Sequence, residues 1–293
     1  MGAAFTKKGL DSPRLLAELL MAHVLGCDRL RLYMETDRPA SPLERESLRD
    51  LVGRALKHEP VQYLVGEAWF FGLPFKVDRR VLIPRPCTET IVEHVLQHYR
   101  ATHGPGQADS GAKGTGFLIA DVCTGSGAIA VALLKHLPGA RGVATDISAE
   151  ALDVARENAS RHGVTDRVDF LRGDLLTPLR AFAPTAGDGC LDYLVSNPPY
   201  IPDDEWPGKV DANVRDHEPE IALRGGEDGL RLVRPLLTDG PLSVKSGGLV
   251  LVEVADSRAA GALAIAQANP LLRDARILKD HEGLERVVLA TRV

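Results

Sequence analysis

Apolar residues in the first sixty positions recur at helical spacing. Leu15, Leu16, Leu19, Leu20 and Val24 share one side of a helix that Ser12-Pro13 opens as a cap followed by an N1 proline, and that Gly26 closes. Ser41-Pro42-Leu43-Glu44 reads as a capping box with proline at N1, opening a second helix with Leu48, Leu51, Val52, Ala55 and Leu56 on one side. The pattern predicts a small helical domain over residues 1–62, equally suited to packing or to holding a partner. From Tyr63 it breaks into short aromatic-rich pieces punctuated by Gly66, Gly72, Pro74, Pro84 and Pro86, which predicts a β-hairpin connector over 63–87. Helical spacing returns from Thr88 to Tyr99.

Strand and helix then alternate through a third region, 88–293. Strands are predicted at Phe117–Val122, Arg141–Thr145, Val168–Leu171 and Leu191–Val195, with another at Leu249–Val254 after a Gly247-Gly248 turn. Helices are predicted at Ala128–Leu137 and from a Ser148 cap to near Arg161. Residues 104–116 and 184–189 read as a mobile loop and an irregular insertion. No internal repeat is visible. Such alternation implies an α/β fold with a doubly wound parallel sheet, whose ligands lie outside the carboxyl ends of the strands.

Length and composition narrow the class. A chain of 293 residues with 44% hydrophobic content exceeds the usual single-domain size and has ample material for a core. Its net charge of −5 does not indicate a large phosphate-binding footprint, so no direct nucleic-acid partner is expected. Cys27, Cys87, Cys123 and Cys190 are far apart with no Cys-x-x-Cys pair, which predicts free thiols in a reducing compartment. Lys7, Lys8 and the leucines after them imitate a signal peptide, but Asp11, Arg14 and Glu18 interrupt the apolar stretch. No apolar run is long enough to span a bilayer, and a cytoplasmic monomer is expected.

The stretch Asn197-Pro198-Pro199-Tyr200, directly after the predicted strand 191–195, carries the chemistry. Each proline fixes φ and removes an N–H, so the turn shows mainly acceptors. A planar NH2 group has two hydrogens to donate. The Asn197 side-chain oxygen and the Pro198 carbonyl can take them while Pro199 and Tyr200 pack on its plane, which makes Asn197, Pro198 and Tyr200 the candidate catalytic residues. The plainer alternative is that Pro-Pro only ends a strand.

Asp121-Val122-Cys123-Thr124-Gly125-Ser126-Gly127 follows the first strand of the third region and opens a helix, where glycines permit close backbone approach and the helix start offers free N–H groups. Asp146, at the end of the next strand, lies near the ~20-residue spacing of a carboxylate that holds ribose hydroxyls, with a helix cap or surface acid as the alternative. Ala130 stands where a dinucleotide fingerprint has its third glycine, so S-adenosylmethionine fits better than a nicotinamide cofactor. Gly173-Asp174-Leu175 places a carboxylate and an apolar side chain beside the adenine. The candidate cofactor residues are therefore Cys123 to Gly127, Asp146, Asp174, Leu175 and Asn197.

Taken in order, these pieces resemble the class I S-adenosylmethionine-dependent methyltransferases, which have a Rossmann-like domain, and among them those that modify amino groups conjugated to π systems. Gly66-Glu67-Ala68-Trp69-Phe70-Phe71-Gly72-Leu73-Pro74-Phe75, Ile83-Pro84-Arg85-Pro86, Arg215-Asp216-His217-Glu218-Pro219 and the closing Lys279 to Val288 narrow the resemblance to the HemK-type protein-glutamine N5-methyltransferases. The resemblance implies transfer of a methyl group to the glutamine of the Gly-Gly-Gln motif in peptide chain release factors, which makes a release factor the expected partner.

Cys87 departs from the Asp usual in that family, and Cys123 from the Gly of many members. Cys123 and Ala68-Trp69-Phe70 are also similar to a related branch that methylates a ribosomal large-subunit protein. An adenine amino methyltransferase is the nearest rival from another class, since a flipped adenine offers the same NH2. A cofactor-binding docking protein without chemistry is the non-enzymatic one. His217 and Glu218 read as structural, and no metal site is assigned. Arg85 and Glu89 are open between ligand contacts and salt bridges.

Overall fold

The computed structural model describes residues 1–35, 37–103, 116–182, 189–206 and 208–293. The loop expected at 104–116 and the insertion expected at 184–189 lie almost wholly outside the described residues.

The chain begins with five helices: α1 (Gly2–Lys8), α2 (Pro13–Leu25), α3 (Arg29–Met34), α4 (Pro42–Ala55) and α5 (Val61–Val65). The capping box forms, with Glu44 N–H donating to Ser41 Oγ at 3.2 Å and Ser41 N–H to Glu44 Oε2 at 2.7 Å. Ser12 is different. It takes a left-handed conformation, φ 49°, and its side chain makes no cap hydrogen bond, so Pro13 alone pre-forms the first turn of α2. Phe5, Leu20, Ala55, Val61 and Leu64 build the core of these helices.

The expected hairpin is β1 (Glu67–Phe70) and β2 (Leu73–Lys76), paired antiparallel around the two-residue turn Phe71-Gly72. Both turn residues have positive φ, as the twist of a tight hairpin demands. Phe70 and Phe75 pack edge to face inside the main core, which fixes the hairpin against it.

After a 3₁₀ turn at Pro86–Thr88 come α6 (Glu89–His103), β3 (Leu118–Val122), α7 (Ala128–His136), β4 (Arg141–Asp146), α8 (Ala149–Arg161), β5 (Val168–Arg172), α9 (Thr177–Phe182) and β6 (Leu191–Ser196). Then follow β7 (Ile201–Pro202), α10 (Ala212–His217), β8 (Arg224–Gly226), α11 (Val233–Thr238), β9 (Val244–Glu253), α12 (Ala259–Ala268), β10 (Leu272–Lys279) and β11 (Glu285–Arg292). Seven strands form one sheet in the order β10-β11-β9-β6-β3-β4-β5. The strands from β9 to β5 run parallel, as expected, while β11 pairs antiparallel with both β9 and β10 and makes the sheet mixed.

Alternate residues feed the two faces. Ile119, Tyr193, Val195, Leu251 and Leu289 pack on one side, and Ala120, Val122, Leu194, Val250 and Val252 on the other. Strands buried on both faces read as continuous apolar runs, which is why β3, β6 and β9 are visible in the sequence. Gly247-Gly248 does not precede β9 but lies within it, where the register against β6 shifts, so the expected turn is a bulge. Among the described residues, no helix is long and apolar enough to cross a membrane.

Candidate active site

Chain order reverses between β3 and β6: β4 and β5 continue to one side of β3, and β6 and β9 to the other. A crevice opens at the carboxyl ends of strands at such a switch point. Val122 pairs with Ser196, and Ser196 Oγ donates to the Val122 carbonyl at 2.6 Å. The glycine loop after β3 and the Asn-Pro-Pro-Tyr turn after β6 are thereby fastened side by side. They border a cavity of about 540 Å³.

The loop is shaped by backbone conformation. Cys123, Gly125 and Gly127 have φ of 60°, 54° and 80°. At Gly127 a Cβ would also sit 3.1 Å from that of Ala155, so only glycine lets α7 start against α8. Cys123 takes the same left-handed region without that freedom, at a cost on the order of 1–2 kcal/mol. Asp121 sits beneath the loop, fully buried, and accepts from Thr124 Oγ1 at 2.7 Å and Ala130 N–H at 3.1 Å. Burial pushes its carboxyl up to about 7.

Asp146 ties three turns together. Its Oδ2 accepts from Gly125 N–H and its Oδ1 from Ser148 N–H, both at 2.9 Å, while its carbonyl accepts from Gly173 N–H at 3.0 Å. Burial raises its carboxyl above the usual range. Each oxygen keeps further lone-pair capacity for a hydroxyl donor. Ser148, not Asp146, caps α8, accepting from Ala151 N–H at 3.1 Å.

Of the sequence-predicted residues, Cys123, Thr124, Gly125, Ser126, Asp146, Asp174, Leu175, Asn197 and Pro199 line the cavity. Gly127, Pro198 and Tyr200 do not. Gly127 still shapes the loop as its helix cap. Tyr200, expected to stack on substrate, anchors its hydroxyl elsewhere: it donates to Glu253 Oε1 at 2.9 Å, and burial holds the phenol well above its ordinary pKa. Flat apolar surface lining the cavity comes from Pro199 and Phe70. Gly225 seals the turn from behind, where a Cβ would meet Tyr200 Cα at 2.7 Å.

Asn197 Nδ2 donates to Thr88 Oγ1 at 3.0 Å, which leaves Oδ1 with no partner among the described residues. Thr88 also lines the cavity. It was missed in the sequence, as was Glu253. Both are remote from the turn along the chain, and the one available signal was that Glu253 ends a strand on the ligand side of the sheet. Arg85 and Glu89 prove to be braces. Arg85 pairs with the buried Glu218 at 2.5 Å, Glu218 also accepts from Ile83 N–H at 3.1 Å, and Glu89 accepts from Phe71 N–H at 2.7 Å.

The residues present fit S-adenosylmethionine. A backbone loop with room for close approach, a two-oxygen carboxylate at the next strand end and the apolar Leu175 all face one cavity. The fold and this site define a class I S-adenosylmethionine-dependent methyltransferase. Residues 119–212 match the methyltransferase domain family, and a methyltransferase from Pyrococcus furiosus superposes with a TM-score of 0.50 at 17% identity, covering 83% of this chain and 98% of that one. The catalytic domain of hMettl16, solved with the MAT2A 3'UTR hairpin 6, gives a TM-score of 0.53 at 15% identity over 75% of this chain and 76% of its own. These likenesses concern the fold alone.

Residues 2–66 match the PrmC N-terminal domain family. A release factor glutamine methyltransferase from Chlorobaculum tepidum is 42% identical over 97% of this chain and 92% of its own length. Its counterparts from Moorella thermoacetica and Rhodopirellula baltica are 39% and 36% identical, each over 97% of this chain and over 93% and 91% of their own lengths. The chain belongs to the release factor glutamine methyltransferase family.

Proposed function

We propose that this enzyme methylates the side-chain amide nitrogen of the glutamine in the Gly-Gly-Gln motif of a peptide chain release factor. The observation that carries the reading is the state of Asn197. With Nδ2 held by Thr88, its free Oδ1 is an oriented acceptor beside the cofactor loop. Its full-length relatives are named for the same substrate.

When bound, S-adenosylmethionine supplies the methyl group from its sulfonium. An amide nitrogen is a poor nucleophile because its lone pair is delocalised into the carbonyl, so the protein contributes chiefly by positioning. Asn197 Oδ1 accepts an amide hydrogen, which favours a more pyramidal nitrogen. Pro199 packs the amide plane, and Tyr200 anchors the turn on Glu253. Cys123 to Gly127, Asp146, Asp174 and Leu175 hold the cofactor. Residues 1–62 form a helical domain, 63–87 a connector and 88–293 the methyltransferase domain, in a cytoplasmic monomer.

The test is to incubate the enzyme and labelled S-adenosylmethionine with release factor, its Gly-Gly-Gln Gln→Ala variant, ribosomal large-subunit protein and DNA. Label is expected in the unmodified release factor alone. Label that persists in the Gln→Ala variant, or that enters only ribosomal protein or DNA, overturns the assignment.

A further inference from the structure

Two segments outside the cofactor turns contribute to the lining of the cavity. The connector supplies Leu82 and Pro84, and the chain after the Asn-Pro-Pro-Tyr turn supplies Pro219, Ile221, Ala222 and Arg231. Ile221 is 61% exposed and Arg231 is exposed as well, which places them at the mouth. Carbon surface dominates these residues, and a proline has no N–H to offer. Arg231 is the exception. Arg80, also on the lining, spends two of its nitrogens on Asp78, at 2.8 and 2.6 Å.

Arginines near it in the chain are engaged. Arg224 meets Asp203 at 2.7 Å and Glu220 at 2.6 Å, and Arg234 meets Asp228 at 3.0 Å. Arg231 has no ion pair and no side-chain hydrogen bond among the described residues. Its position is fixed all the same. Its backbone N–H donates to the Gly225 carbonyl at 3.2 Å, and its stem lies along Gly226, where a Cβ would sit 3.2 Å from Arg231 Cβ and 3.3 Å from Cδ. Gly225 and Gly229 pack directly on the catalytic turn: a Cβ on either would come within 2.7 Å of Tyr200 backbone atoms. An unpaired guanidinium is thus carried by the same packed unit as Asn197.

When the target glutamine reaches Asn197, the glycines before it bring no side chains to the mouth, only backbone. Their carbonyls lose water against the apolar wall, and an acceptor left there without a donor weakens binding. A guanidinium only donates, through a planar fork that can serve neighbouring acceptors together. We infer, on the reading that a release factor is the substrate, that Arg231 is a substrate-binding residue that donates to the main-chain carbonyls of the glycines preceding the glutamine. The contact is away from the reacting nitrogen. It holds ground state and transition state alike, and therefore acts on KM rather than kcat.

The test uses Arg231→Ala, which removes the donor, and Arg231→Gln, which keeps a shorter, uncharged one. The readouts are kcat and KM for release factor at low and at high salt, and S-adenosylmethionine affinity by calorimetry. Arg231→Ala is expected to raise KM about 10-fold. Its kcat and cofactor affinity stay within about twofold of wild type, and Arg231→Gln recovers part of the lost KM. The ratio of the alanine variant's KM to that of wild type is the same at both salt concentrations, as for an uncharged acceptor. An unchanged KM overturns the inference. So does a loss that falls on cofactor affinity, which would put the guanidinium on the cofactor's carboxylate, or a KM ratio that collapses at high salt, which would put it on a carboxylate of the release factor. Wild-type enzyme that leaves the Gly-Gly-Gln glutamine unlabelled overturns the reading of the substrate itself, whereas a labelled glutamine with Arg231→Ala as good as wild type overturns only the role of Arg231.

Discussion

Asn158, fully buried on α8, joins two parts of the molecule that meet at the cofactor loop. Its Oδ1 accepts from Lys76 N–H at 2.7 Å, and its Nδ2 donates to the Lys76 carbonyl at 3.0 Å and the Ser126 carbonyl at 2.9 Å. The first two bonds pin hairpin strand β2, and the third holds the glycine loop from behind. Asn158→Ala removes all three. The two bonds at Lys76 are only part-buried, and their loss costs about 1 kcal/mol each. The Ser126 carbonyl is bonded in a buried setting, and losing its donor costs about 2 kcal/mol. The expected destabilisation is about 4 kcal/mol, or a fall in melting temperature on the order of 10 °C for a chain of this size. Asn158→Asp is worse than alanine, because it sets carboxylate oxygens against two carbonyls. Urea unfolding at neutral pH measures the stability, and calorimetric titration of S-adenosylmethionine measures the loop, with a roughly tenfold loss of affinity expected. An alanine variant within about 1 kcal/mol of wild type, or an aspartate variant more stable than the alanine one, refutes the reasoning.

Further predictions concern the loop and the turn. Asn197→Ala is expected to lower turnover by about 10²–10³, by analogy with the loss of one oriented group at a charge-developing centre, while calorimetry finds cofactor binding largely retained. Cys123→Gly relieves a left-handed residue, so its stability and cofactor affinity stay near wild type, whereas the β-branched Cys123→Val loses about 2 kcal/mol or more in urea melts. A glycine variant weaker than the valine one contradicts this. Burial raises the Asp121 carboxyl from its ordinary value to about 7, so the folded state binds its proton more tightly than the unfolded chain does. This group's contribution to stability therefore falls as pH rises from about 4 through 7. Asp121→Asn removes that fall and gains on wild type across the same interval. A constant difference between the two stability curves counts against it.

What the sequence revealed depended on how local each cause was. The Ser41–Glu44 box, the Ser148 cap and the Gly26 stop are decided within a few residues, and all three are present. The central strands were visible because both faces are buried. Ser12 offered the same cap signal as Ser41 but adopts a left-handed backbone that its side chain does not use. Strands β10 and β11 were not predicted: β10 alternates weakly between buried and exposed positions, and β11 takes its place by pairing with β9 and β10 by pairing with β11.

The site shows the same division. Cys123, Thr124, Gly125, Ser126, Asp146 and Asn197 sit in turns whose chemistry is written in consecutive residues. Thr88 is linked to Asn197, and Glu253 to Tyr200, only by the packing of three distant segments. No spacing rule brings them together. The direction of Tyr200 was likewise set by a tertiary partner, Glu253, rather than by the turn that contains it.

The central claim is that the methyl group goes to one nitrogen of one glutamine. Fragmentation mass spectrometry of release factor, after reaction with the wild-type enzyme and with Asn197→Ala, tests it directly. The account predicts a single added methyl on the side-chain amide of the Gly-Gly-Gln glutamine with the wild type and almost none with the variant. A methyl on any other residue, or equal modification by both enzymes, would contradict it.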